Sequence, residues 1–108
     1  MKKKKTNYIR NDKLSSIFFV EIAEILNEEK EIRYSQFLVT LIKVCITPDM
    51  NFIKVYISVY PFFDENILKF IRSKSKFYRK LLSNRLRYRV KKIPELDFCP
   101  IGQNLINF

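Results

Sequence analysis

Eleven cationic side chains crowd one stretch of this 108-residue chain. Between residues 66 and 94 lie Lys69, Arg72, Lys74, Lys76, Arg79, Lys80, Arg85, Arg87, Arg89, Lys91 and Lys92, with no Asp or Glu among them. The formal net charge is +10, and all 11 acidic residues lie outside this stretch. Charge concentrated in this way calls for a polyanionic partner, either nucleic acid or an anionic membrane. Residues four apart share a helix face, so Lys76 and Lys80, Arg85 and Arg89, and Arg87 and Lys91 make three basic pairs on a predicted helix. Tyr78 and Tyr88 place aromatic rings among them, with Tyr78 read as core. Phosphates take the charge and exposed bases stack on rings, a mixture that suits RNA. The competing explanations are solubilising charge and cations favoured at a helix C-terminus. Coding bias toward Lys accounts for Lys2 to Lys5 but poorly for the Arg series or the missing acids. The candidate RNA-binding set is therefore Arg72, Lys74, Ser75, Lys76, Arg79, Lys80, Arg85, Arg87, Arg89, Lys91 and Lys92.

Other chemistry is sparse. The chain has no His and a single glycine, Gly102. The commonest general base and zinc ligand is thus missing, and so are the glycines of phosphate-cradling loops. Carboxylates fall on the first helix, in turns and alternating along strands, where acids are ordinarily solvated or capping. Cys45 and Cys99 form no CxxC pair and read as free thiols. The expectation is a non-enzymatic protein without metal, cofactor or small-molecule substrate. No apolar run is long enough to span a bilayer, and no apolar segment of a secretory signal follows the first lysines. The expected compartment is the cytoplasm.

The elements that must position the basic stretch follow from apolar spacing. Residues 1–12 read as a flexible basic arm. Leu14, Ile17, Phe18, Ile22, Ile25 and Leu26 recur at threes and fours, which predicts a helix over 13–29 with Asp12 as its N-cap. Glu21, Glu24 and Glu28 give it an acidic outer side. Residues 37–60 change to period two. Thr40, Ile42, Val44 and Ile46 are expected on one face of a first strand, and Ile53, Val55, Ile57 and Val59 on one face of a second. Pro48, Asp49 and Asn51 supply the turn between them. Asp64 predicts an N-cap for a helix over 65–73, and a further helix follows over 77–90, with Tyr78, Leu81, Leu82 and Leu86 inward. Pro94 ends it, and Leu96 and Phe98 mark a short third strand. The order α-β-β-α-α-β implies an α+β domain over 13–99, a three-stranded sheet with helices on one face, as in a type II KH domain. Residues 100–108 are left as a short tail.

Two ordered motifs then resemble a known family. The hairpin from Val39 through Thr47-Pro48-Asp49-Met50 to Lys54-Val55-Tyr56-Ile57-Ser58-Val59 is similar to the central hairpin of ribosome-binding factor A. Arg79-x-x-Leu82 followed by Ile93-Pro94-Glu95-Leu96-x-Phe98 resembles that family's second signature. The resemblance implies a KH-like domain that binds 16S ribosomal RNA in the free, immature small (30S) subunit and assists its late maturation and 5′-end processing. It implies neither catalysis nor a cofactor, and a monomer is expected. The chain departs from the family at the small-x-Gly kink between the last two helices, where Lys74, Ser75 and Lys76 stand. A break within residues 73–76 is still expected, capped by Ser73 or Ser75, because one helix of such length would overrun a small sheet. The rival readings are a generic KH protein acting on other RNA, and a peripheral membrane or interaction module using the basic helix as an amphipathic anchor.

Overall fold

A computed structural model describes the backbone of residues 2–101 and the side chains of residues 13–101. The helix α1 (Lys2–Glu28) is followed by a short α2 (Lys30–Arg33) and the hairpin β1 (Leu38–Ile46) and β2 (Phe52–Tyr60). Then come α3 (Glu65–Ser73), α4 (Ser75–Leu86) and β3 (Glu95–Pro100). The sheet order is β1-β2-β3, with β1 antiparallel and β3 parallel to β2. A parallel pair needs a crossover, and α3 and α4 supply it. The helices cover one face of the sheet, the type II KH arrangement expected from the sequence.

The α1 stripe is as spaced: Leu14, Phe18, Ile22, Ile25 and Leu26 are buried, with Ile17 packed at the margin. One expectation about this helix fails: its backbone begins at Lys2, so Asp12 lies inside it and is not its cap. No Gly or Pro over residues 2–12 stops the helix from continuing outward from its packed half. The side chains of residues 2–12, and the tail from 102 to 108, lie outside the described residues.

The first strand carries another correction. Leu41 pairs with Ile57 and Lys43 with Tyr56, so Ile42 is an extra residue in a β-bulge. A bulge shifts side-chain alternation by one. Val39 and Leu41 face the helices before it, and Val44 and Ile46 after it. Ile42, expected on one face with Val44 and Ile46, is exposed, whereas Val55 and Ile57 opposite are fully buried. The turn is as expected in kind: Asp49 Oδ1 accepts from Thr47 Oγ1 at 2.7 Å and from the Asn51 N–H at 3.0 Å. Met50 takes a positive φ of 63° there, a conformation uncommon for a residue with a Cβ.

Asp64 caps α3 by accepting from the Ile67 N–H at 3.0 Å. Leu68 and Ile71 of α3, and Tyr78, Leu82 and Leu86 of α4, close the core over Ile53, Val55, Ile57 and Phe98. Truncating a fully buried side chain such as Leu82 to Ala costs about 2–5 kcal/mol. Both cysteines are free thiols, as expected, with Cys45 exposed and Cys99 half-buried. Among the described residues no helix is long and apolar enough to cross a membrane, and no cluster of His, Cys, Asp or Glu is placed to hold a metal ion.

Candidate nucleic-acid interface

Burying Tyr78, Leu82 and Leu86 fixes the rotation of α4. Lys76, Arg79, Lys80 and Ser83 then line a groove between this helix and the start of β3. The groove has a volume of about 720 Å³ and is completed by Ser75, Arg87, Val90, Lys91, Ile93, Glu95 and Leu96. Glu95 is the single acid in this lining. Among the described residues Lys76, Lys80, Arg87 and Lys91 have no carboxylate partner. These four cations are free to meet phosphate.

The helix ends at Leu86, earlier than expected. The N–H groups of Arg89 and Val90 both donate to the Leu86 carbonyl at 2.9 Å. Val90 and Ile93 are buried, which draws the chain off the helix axis toward β3. The pairs Arg85/Arg89 and Arg87/Lys91 are therefore not helical neighbours. Arg87 and Lys91 nonetheless meet in the groove, because the turn brings both back to it.

Several candidate cations serve the fold. Arg72 Nε and Nη2 donate to the Phe98 carbonyl at 3.2 and 3.0 Å. Arg79 Nε and Nη2 donate to the Ile93 carbonyl at 2.9 and 2.7 Å. Seven residues apart, these two arginines cap carbonyls of the edge strand β3 and of the segment leading into it. Arg85 turns away from the groove and bonds Glu21, Glu24 and Glu28 of α1 at 3.4, 3.0 and 2.6 Å. The acidic side of α1 thus meets a guanidinium of the basic stretch. Lys92 Nζ donates to Asn51 Oδ1 at 3.0 Å. Arg89 is exposed and outside the groove lining.

The break at the glycine-free junction is present. Lys74 has φ −101° and ψ 9°, and its N–H donates to the Ile71 carbonyl at 3.1 Å. These angles are open to any residue with a side chain, so no glycine is required. Neither serine caps α4; Lys74 takes the N-cap position without a side-chain bond, and Ser73 Oγ donates to the Phe70 carbonyl at 2.6 Å. The Lys74 ammonium sits 4.7 Å from the Phe77 ring centre and 5.5 Å from that of Phe70, and bonds Glu29 Oε1 at 2.8 Å. Packing and charge hold the bend. Ser75 and Lys76 follow directly, at the mouth of the groove.

Sequence reasoning missed Ser83 and Glu95 as groove-lining residues. Ser83 is seven beyond Lys76 and three beyond Lys80, a spacing that could have found it. Glu95 depends on where β3 begins. The membrane-anchor alternative needs the apolar side of α4 exposed, yet Tyr78, Leu82 and Leu86 are all buried.

A family model described as ribosome-binding factor A matches residues 10–100. The ribosome-binding factor A of Prosthecochloris aestuarii is 36% identical over 92 residues, covering 83% of this chain and 74% of that protein. That of Chlorobium limicola is 34% identical over 92 residues, with 83% and 76% covered. The crystal structure of ribosome-binding factor A from Thermus thermophilus is similar at a TM-score of 0.68 and 22% identity, covering 83% of this chain and 93% of that one. At that identity it speaks for the fold alone.

Proposed function

The chain belongs to the ribosome-binding factor A family, and on that premise we propose that it is a ribosome biogenesis factor that grips ribosomal RNA through the groove beside α4. Its target in this reading is 16S ribosomal RNA in the free, immature small subunit, and its task is to assist late maturation, including processing of the 5′ end. It works as a cytoplasmic monomer, without catalysis or cofactor.

The observation that carries the reading is the set Lys76, Lys80, Arg87 and Lys91 around one groove, free of carboxylate partners among the described residues. Cations without internal partners contribute most of their attraction to an incoming polyanion. Lys76 and Lys80 ride on a helix whose other side is locked into the core, and Arg87 and Lys91 on the turn that follows it, anchored by the buried Val90 and Ile93, so docking needs little reorganisation. Phosphate contact of this kind positions the protein and carries no sequence information of its own. Co-sedimentation tests it. Wild type should travel with free small subunits in a gradient at low salt, and K76E/K80E/R87E/K91E should remain at the top while keeping its thermal midpoint. A folded quadruple variant that still travels with the subunit would move the site elsewhere.

A further inference from the structure

The turn that follows α4 presents an aromatic ring that the fold does not use. Tyr88 is 90% exposed and joins none of the ring pairs among the described residues. The Arg87 guanidinium carbon lies 5.1 Å from its ring centre. That cation covers one face of the ring and leaves the other open to solvent. Arg87 also lines the basic groove, so ring and groove meet at one residue. Immobilising a guanidinium over a fully exposed tyrosine yields little fold stability, because exposed cation–π contacts are weak. It does hold a flat, electron-rich surface at the rim of a phosphate-binding groove.

We propose that Tyr88 is a stacking platform for one unpaired base of the RNA strand whose phosphates occupy the groove, with Arg87 as the rear support of the ring. The proposal rests on the groove reading and adds to it a class of ligand: single-stranded RNA with a base free to turn out. In a duplex the bases are already stacked and paired, and a lone ring on the surface finds nothing to cover. Stacking is tolerant of base identity, since every base has a π-face. Tyr88 therefore selects for strand state, while Lys76, Lys80, Arg87 and Lys91 set overall affinity. Tyr34 provides an internal contrast. It is 87% exposed, but it ends α2 and lies outside the groove lining, and it has no such role.

The test uses the full chain and fluorescence anisotropy with two labelled probes, a single-stranded oligouridylate and an RNA duplex carrying the same number of phosphates. Y88L should weaken single-strand binding about 5- to 150-fold, the range for loss of one base–aromatic stack. It should leave duplex affinity and the salt dependence of both unchanged. Y88F should bind as wild type, and Y34L should have no effect. The idea is overturned if Y88L binds the single strand within twofold of wild type, or loses both probes equally. A charge-reversed K76E/K80E variant separates the two claims. If it loses both probes while Y88L loses neither, the groove stands and the platform falls; if it binds both like wild type, the groove reading falls and takes the platform with it.

Discussion

Glu29 Oε1 accepts a hydrogen bond from Lys74 Nζ at 2.8 Å, and each residue occupies a break between two helices. Glu29 separates α1 from α2, and Lys74 separates α3 from α4. The buried Tyr78 hydroxyl donates to the same carboxylate oxygen at 2.6 Å. The second oxygen accepts weakly from the Glu31 N–H at 3.4 Å as the cap of α2. One carboxylate thus ties both junctions together, 45 residues apart in sequence. Burial and the bond to Glu29 push the Tyr78 hydroxyl far above the ordinary phenol range, so it remains a donor.

Glu29→Gln should loosen the bend that presents Ser75 and Lys76. Burial alone raises the Glu29 carboxyl, but the bonds from Lys74 and Tyr78 outweigh it and hold its pKa below the ordinary 4.5. A carboxyl depressed in the folded state stabilises fully above its unfolded pKa and loses that contribution as pH falls through the folded value. Wild type should therefore lose stability below about pH 4.5 more steeply than Glu29→Gln. At neutral pH the variant should be less stable by about 1 kcal/mol, because glutamine keeps an acceptor oxygen for Lys74 and Tyr78 but loses the charge that strengthens both bonds. Urea unfolding of both proteins from pH 3 to 7 checks this, and parallel curves would remove Glu29 from the account.

The bulge in β1 makes neighbouring apolar residues unequal. Val44 packs against the core and Ile42 is 45% exposed. Val44→Asp should cost upwards of about 3 kcal/mol, because an unpaired charge enters the core. Ile42→Asp should cost about 0.5 kcal/mol or less, the ordinary range for a surface change. In a regular strand the two positions would share a face and fail together. Thermal midpoints of the two variants decide between these strands.

Arg79 is better understood as a clamp than as a phosphate ligand. Its two bonds to the Ile93 carbonyl hold the entry to β3 against α4. Arg79→Met keeps much of the aliphatic bulk and removes both bonds, and should destabilise by about 1.5–3 kcal/mol, the scale for hydrogen bonds to a charged group. Lys80→Met, one residue along and facing the groove, should leave stability nearly unchanged. Equal midpoints for the two would contradict the clamp.

Much of this architecture was legible because apolar spacing constrains it. The stripe of α1, the hairpin, the Asp64 cap and the strand through Leu96 and Phe98 each follow from periodicity and turn residues. The bulge left only a faint trace, the adjacent apolar pair Leu41-Ile42 that interrupts the alternation, and pairing with β2 is what identifies Ile42 as the extra residue. The charge of the basic stretch was plain in the sequence, but its division of labour was not. Arg72, Arg79 and Arg85 look like Lys76 and Lys80 until carbonyls of Phe98 and Ile93, and carboxylates of Glu21, Glu24 and Glu28, are brought to them. Those partners lie 14 to 64 residues away, beyond the reach of local spacing.

The same division predicts the salt dependence of binding. Reversing Arg79, Arg85 and Arg89 would remove the Ile93 clamp and place a fourth acid beside Glu21, Glu24 and Glu28, so lost binding could reflect lost structure. The groove set avoids this. If Lys76, Lys80, Arg87 and Lys91 each neutralise one phosphate, log K should fall against log salt with a slope of roughly −2.8 to −3.6, the single-strand and duplex limits for four contacts. Removing one charge, as in Lys80→Gln, should make the slope shallower by about 0.7–0.9. Arg85→Gln should leave it unchanged, because Arg85 commits its charge to α1, and should instead lower stability by roughly 1 kcal/mol at low salt. That loss should shrink as salt screens the exposed carboxylates of Glu24 and Glu28. Anisotropy titrations from about 50 to 300 mM salt read the slopes directly. A slope unmoved by Lys80→Gln but reduced by Arg85→Gln would place the phosphates on the α1 side of α4 and not in the groove.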